Sequence, residues 1–588
     1  MSDDILVYFQ KEISEFRKLG EQYIKEHPVL SGKVPIDFNN IDDPMITRLI
    51  EAFAYMTARV NQNIDKEKHN LIENLLNITA PHILLPIPAR AIVQVKLEDN
   101  HEMPLNIKKD FELITNSDNN IPVIFRTIFN TEIIPYTIES ITHDNSKHTS
   151  SLAMKMTPLS NNIDNIHIKL KKLRFSINSN NSSAYTLMKM LLINLESIKL
   201  KMANITHVLK NNHINLMGLD KEQLSLPLPN KIHSAFMMLT DFFCFPEKFL
   251  FFEIDIDDID QSYIRNEFTI IFNFDISEPS LNKNIENNIL IMNTIPVINL
   301  FNKIAEPIQY TTEHEEFHVI PSYTSCNEIE IYTIKNIKIQ SALNEISSCP
   351  INSTQLHYVK DEESVYWSSM RKPRSVSEGS KHNGYDTYLT LTFNEKLLEN
   401  TCSISPIECL CMNRNVNETL PKTHSINFNP LDHHPEGIFS TVCVSPIHPI
   451  SYTHTSFENL SVLLSYMNLK LSSIVNTETL KNLLYIHNKA NQNENNKLIN
   501  MIKNVSMKPI FIRSGATSHF LKYRAFKVSI TIVEDSSVSD KFILFSACLN
   551  YLFQTYCTIN TLVITEIIND ENIVIKKWGA TCGKKNVL

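Results

Sequence analysis

Through the first ninety positions, apolar residues recur at helical intervals. In DILVYFQKEISEFRKLGEQYI, Ile5, Phe9, Ile13, Phe16 and Tyr23 trace one face until His27-Pro28 ends the run. A second helix is expected from DDPMITRLIEAFAYMTARVNQNID. Asp43 can cap it, Pro44 suits a first turn, and Ile46, Leu49, Ile50, Phe53, Met56, Val60 and Ile64 form its stripe. A third, with Leu71, Ile72, Leu75 and Leu76, precedes the breaking PHILLPIP. Such stripes serve as an internal core or as a face for a partner chain.

From Ala91 the period becomes two. AIVQVKLE sets Val93, Val95 and Leu97 against Gln94, Lys96 and Glu98, the pattern of a half-buried strand. Strands are expected to dominate from there, with helical patches at AYTLMKMLLINL and ENLSVLLSYMNLKLSSI. Polar stretches at 141–165, 371–384 and 487–500 read as loops or linkers. The fold class is therefore α+β, without the regular βα alternation of a doubly wound enzyme. Four regions are expected: a helical partner bundle over 1–90, β-rich modules over 91–260 and 261–400, and a C-terminal α+β module over 401–588.

Composition narrows the function. A chain of 588 residues with 43% apolar and 20% charged residues is globular. Its net charge of −9 offers no overall positive field for nucleic acid. The acidic, amphipathic start lacks a signal-peptide pattern, and no apolar run reaches membrane-spanning length, so a soluble cytosolic protein without direct membrane insertion is expected. The ten cysteines lack C-x-x-C pairs and read as reduced and mostly buried. Nine glycines leave little room for phosphate loops: Gly379 to Gly384 has the spacing, but Tyr385 and Asp386 follow where Lys and Ser or Thr are needed.

One motif points elsewhere. Residues 314–318 read HEEFH, the zinc-peptidase pattern H-E-x-x-H, in which two histidines one helical turn apart reach one metal. Here Pro307 and Pro321 flank the segment, and Phe317 and Val319 alternate with polar neighbours as on a strand. His314 and His318 would then stand roughly 13 Å apart, too far for one zinc. The expectation is no metal, no cofactor and no catalytic residue. The alternative is a zinc metallopeptidase using His314, Glu315 and His318.

Several blocks, in order along nearly the whole chain, resemble the TssF family of type VI secretion baseplate subunits. They are DDPMITRLIEAFAYMTARV leading to PHILLPIPARAIVQV, then IFRTIFNTEIIPYTI, DFFCFPEKFLFFEID, IPVINLFNKIAEPIQYTTEHEEFHVIP, CMNRNVNETLP, and finally CLNYLFQTYCTINTLVITE with KKWGATCG. The chain departs from the family pattern at Lys108-Lys109, Met412, SPIHP (445–449) and LSVLLSYMNL.

The resemblance implies a structural wedge subunit of a bacterial, cytoplasmic machine docked at the inner membrane through other subunits. Two TssF copies would embrace one TssG, with TssK and TssE completing a wedge around the VgrG hub, a platform for tube and contractile sheath. A wedge component of another contractile injection machine is the second alternative. Within this reading Ile46, Leu49, Ile50, Phe53 and Val60 form the expected partner interface. Phe245, Pro246, Glu247, Lys248, Phe249, Glu306, Pro307, Asn413 and Arg414 are family-signature structural positions. Of these, Glu247 and Lys248 are expected as a solvated pair at a turn. Asn413 and Arg414 are expected to fix a loop, ahead of binding a partner's carbonyls, and Phe242, Phe243, Phe245, Phe249, Phe251 and Phe252 to form core, ahead of an interface anchor.

Overall fold

In this computed structural model, residues 2–584 are described apart from 27–43, 98–103, 117–121, 160–170, 203–204, 210–213, 229–233, 257–266, 280, 282–287, 324–326, 341–344, 347, 352–364, 375–383, 393–401, 415, 417–419, 421–425, 431–438, 453–470, 490–492, 515–520, 534 and 536–537. The expected cap Asp43 and most of ENLSVLLSYMNLKLSSI lie outside the described residues, save the short helix Leu471–Ile474. Two compact units emerge, one N-terminal through Leu84 and one forming the body from Leu85 onward.

The N-terminal unit is a helix pair, α1 (Ser2–Glu26) and α2 (Pro44–Thr79). The second and third helices expected from the sequence are one continuous helix. No proline or glycine interrupts it after Pro44, so the polar stretch between the two stripes costs too little propensity to break it. Ala54 and Ala58 are fully buried, small enough to admit a close neighbour. Across the pair Tyr8 Oη donates to Asp65 Oδ2 at 3.1 Å, Asn61 Nδ2 to Glu12 Oε1 at 2.7 Å, and Phe9 meets Tyr55 edge-on.

In the body, six strands close a barrel in the order Arg90–Leu97, Thr294–Ile298, Pro122–Thr127, Glu112–Asn116, Asn427–Pro430 and Phe439–Cys443. Stretches expected as three separate modules thus meet in one barrel, filled by Val93, Val95, Phe125, Ile295, Val297 and Phe428. A five-stranded antiparallel sheet includes the hairpin Tyr136–Asn145 and Ser150–Pro158, so most of 141–165 is strand rather than loop. Its inward residues, Leu152, Met154 and Met156, alternate with Ala153, Lys155 and Thr157, and dense polar neighbours hid that period. The expected loop 487–500 likewise contains a helix, Asn493–Asn500, which buries Asn495, Leu498 and Ile499. The patch AYTLMKMLLINL is helical, over Ala184–Ile193.

Two further sheets share the region from Phe301 to Asn413: one centred on Ser403–Asn413 and Ile329–Gln340, the other on Tyr385–Thr392 and Val365–Pro373. The C-terminal sheet joins Leu521–Ile532 to the parallel strand Leu562–Ile568 through the long helix Ser539–Tyr556.

The largest core gathers around Ser234–Cys244, a helix that runs into a tight turn, Pro246–Leu250, and the strand Phe251–Asp255. Phe242, Phe243, Phe245, Phe249, Phe251 and Phe252 are all at most 1% exposed, which makes them core as expected. Phe242 stacks on Phe545 at 5.1 Å, Phe251 meets Phe129 edge-on at 5.8 Å, and Phe252 lies 5.7 Å from Phe175. His487 stacks on Phe236 at 5.1 Å, with Nδ1 3.2 Å from Thr240 Oγ1.

Phe242→Ala is expected to cost about 3–5 kcal/mol, read from urea unfolding, because the cavity left beneath Phe545 cannot collapse. Burial pushes His487 down to about 3, and the Lys489 charge adds to the effect. The unfolded histidine binds its proton near pH ~6.5, so its contribution is complete above that value and is lost as pH falls below it. Between about pH 7 and about pH 5, the unfolding midpoint should therefore fall more steeply in the parent chain than in His487→Phe, which keeps the stacking.

Candidate functional site

HEEFH is not on a helix. His314 follows a turn, and Phe317–Val319 is a strand in which His318 pairs with Tyr388 of the neighbouring strand. Phe317 and Val319 point into the core, while His314, Glu315 and His318 are exposed. His318 stacks on Tyr388 at 5.1 Å. No group of His, Cys, Asp or Glu among the described residues is placed to hold a metal ion. Glu306 and Pro307 connect Phe301–Ala305 to Ile308–Gln309, two strands that both pair with Ser403–Asn413. The Glu306 amide donates to Ile320 O, and its carboxylate accepts from the Tyr323 amide at 3.3 Å.

Glu247 and Lys248 correct the sequence reading, for neither is a solvated surface charge. Lys248 is wholly buried, its Nζ 2.5 Å from Asp241 Oδ2, with the ammonium 5.2 Å from the centre of the Phe249 ring. Asp241 also accepts from the Ser225 amide at 3.0 Å and from the Ser225 hydroxyl. The buried rings on either side draw the turn inward, so the lysine follows them out of water and its charge is met by Asp241. Glu247 Oε2 lies 3.2 Å from His448 Nε2. Burial pushes the Glu247 carboxyl up, but the bond and charge of His448 outweigh it and hold the group below the ordinary value.

Asn413 and Arg414 make internal hydrogen bonds at the junction between the barrel and the adjoining sheets. The Asn413 amide donates to Asn299 Oδ1, Asn299 Nδ2 donates to both Asn413 Oδ1 and Ile124 O, each at 2.8 Å, and Asn413 Nδ2 donates to Pro122 O at 3.2 Å. Arg414 donates to Ile329 O, Tyr385 O and Asp386 Oδ1. Glu330, fully buried, sits between Arg371, Arg414 and the Tyr452 hydroxyl. A side chain at Gly384 would bring a Cβ to 2.6 Å from both Arg414 Nη1 and Glu330 Oε2, so the glycine leaves room for the ion cluster. Sequence reasoning missed Glu330, Asn299 and Gly384, since their partners lie far along the chain, and it missed Asp241, only seven residues from Lys248, because no local pattern shows that both are buried. The scarcity of glycine was the one available hint at Gly384.

The expected partner stripe is open to solvent. Leu49, Phe53 and Val60 are 60%, 53% and 57% exposed, and Ile50 is half-buried; the Ile46 side chain lies outside the described residues. Met56, Ile64 and Leu71 extend the exposed series along α2, and Leu6, Val7 and Leu19 are exposed on α1. Pairing with α1 therefore buries the alanines and leaves the large apolar side chains in water, where a contiguous patch signals an interaction face.

Lys248→Met should destabilise the body by about 3–5 kcal/mol, because Asp241 would remain buried without its cation. The double variant with Asp241→Asn should recover much of that loss, as measured by urea unfolding.

The family model described as "Type VI secretion system, TssF" matches residues 1–585. A type VI secretion system component from Pseudomonas aeruginosa, TssF1, is 21% identical with full coverage of both chains. Among solved structures, a chain of a type VI TssK-TssF-TssG baseplate subcomplex, seen by cryo-electron microscopy, aligns with a TM-score of 0.75 at 18% identity. The alignment covers 92% of this chain and 99% of that one. A chain of the baseplate complex from the type VI secretion system aligns at 0.59 and 18% identity, covering 99% and 100%. These likenesses show a shared fold, and the family match spans both the helix pair and the body. The chain belongs to the TssF family of the type VI secretion system.

Proposed function

We propose that the chain is a non-catalytic baseplate wedge subunit that joins its neighbours through the exposed face of α2. The carrying observation is the series Leu49, Phe53, Met56 and Val60, at helical spacing and more than half exposed on a 36-residue helix. Burying each such side chain contributes roughly 1.5–3 kcal/mol, so a partner helix covering the series gains enough to hold an assembly together. One solved relative carries TssF with TssK and TssG, which makes TssG the natural occupant of this face and TssK the next neighbour.

The finer reading adds a second copy of this chain per TssG, TssE, the VgrG hub and the platform for tube and sheath, all in the cytoplasm and held at the membrane by other subunits. Its mechanism is mechanical. A stiff body keeps its shape while interfaces between subunits exchange one set of contacts for another, releasing sheath contraction. The metallopeptidase reading lacks the helix its chemistry needs.

Leu49→Glu with Phe53→Glu, co-expressed with TssG and TssK homologues from the same source, is expected to lose TssG from affinity-purified material while the body's unfolding midpoint is unchanged. Undiminished recovery of TssG would remove α2 as the joining face. Recovery of a different machine's subunits by mass spectrometry would favour the other contractile system.

A further inference from the structure

The strands Ile502–Ser514 and Leu521–Ile532 form a long antiparallel ribbon, paired from Ile502 opposite Ile532 to Ser514 opposite Leu521. The next strand, Leu562–Ile568, pairs only with Ala525–Thr531. Beyond Ala525 the ribbon therefore runs past its sheet. Residues 501–532 carry six lysines and arginines and no carboxylate, in a chain of net charge −9.

Two features of the ribbon conflict with a surface meant only for water. Lys508 stands directly opposite Lys527, a pairing that repels within a sheet. Lys527 is offset by Glu566 at 2.6 Å, whereas Lys508, Lys522 and Arg524 have no carboxylate partner among the described residues. Phe511 is 74% exposed and lies opposite Arg524, whose guanidinium sits 5.5 Å from the centre of the Phe526 ring. On the other face Tyr523, 41% exposed, pairs with Ile512. Sequences that break local rules without a compensating internal contact do so at functional sites.

We infer that the faces of this ribbon around Lys508, Phe511, Tyr523 and Arg524 form a docking site for an acidic protein surface. Exposed aromatics beside arginine and lysine have the composition of protein interface anchors, and uncompensated cations select a partner of opposite charge. The partner lies against the faces of the ribbon rather than extending its sheet. Val505 already donates its amide to Thr477 Oγ1, and Pro509 has no amide to give, so the outer edge cannot be paired continuously. Three open cations among apolar side chains suit a carboxylate-bearing protein better than a phosphate backbone, which needs a longer basic track.

The test uses the full-length chain and a fluorescent peptide of alternating glutamate and tyrosine, followed by anisotropy at low and at physiological salt. Binding is expected, weaker at higher salt, and reduced at least tenfold (about 1.4 kcal/mol) by Lys508→Glu with Arg524→Glu and separately by Phe511→Ser. Lys147→Glu, an exposed lysine elsewhere, should leave it unchanged, and the unfolding midpoints should match throughout. Absence of peptide binding, or binding indifferent to these variants, overturns the inference. So does tighter binding of a single-stranded RNA or of phosphatidylglycerol vesicles that the same variants abolish, and so does a dimer in sedimentation that they dissolve. TssG recovery reports on α2 alone, so failure here is separable from failure of the baseplate reading.

Discussion

The segment from Asp241 to Phe252 is almost wholly withdrawn from water, and it carries a charged lysine inside with it. That burial is tolerable only because Asp241 meets Lys248 and is itself held by Ser225. The consequences spread outward. Phe242 and Phe243 reach the C-terminal helix through Phe545, Phe251 reaches Phe129 beside the barrel, and Phe252 joins its cross-strand neighbour Phe175 to Phe272 on another sheet. Gly218, in the left-handed region with φ +87°, passes close to the Phe249 ring where a side chain would crowd it. One short stretch thus fastens four elements that are distant in sequence.

The junction at Asn413 and Arg414 repeats this logic at the other end of the barrel. Paired asparagines and an arginine satisfy backbone carbonyls of strands that could not otherwise end against one another. Buried polar networks of this kind stiffen the elements they join and specify one arrangement of them. The N-terminal helix pair has the opposite character: Ala54 and Ala58 are buried, while large apolar residues such as Leu49, Phe53 and Val60 face water. A stiff body and an unsatisfied helical face are what a subunit needs when its work is to hold neighbours in place.

Much of this was readable in the chain. The helical stripes, the switch to period two at Ala91, and the strand character of Phe317 and Val319 are local patterns, and each has its counterpart in the structure. Misreadings arose where tertiary contacts override local pattern. Lys248 looked like a turn charge because nothing nearby shows that Asp241 and Ser225 will enclose it. The hairpin around Ser150 looked like a loop because its buried methionines alternate with lysine and threonine. Barrel closure brings Arg90–Leu97 beside Phe439–Cys443, a pairing with no local signature.

The claim that α2 is an assembly face is tested most directly by hydrogen–deuterium exchange on the full-length chain, alone and bound to a TssG homologue. The account predicts that amides of Pro44–Thr79 gain strong protection in the complex, while those of Ser234–Cys244 and Ser403–Asn413 are already protected and do not change. Equal exchange along α2 in both states, with new protection confined to the body, would contradict it.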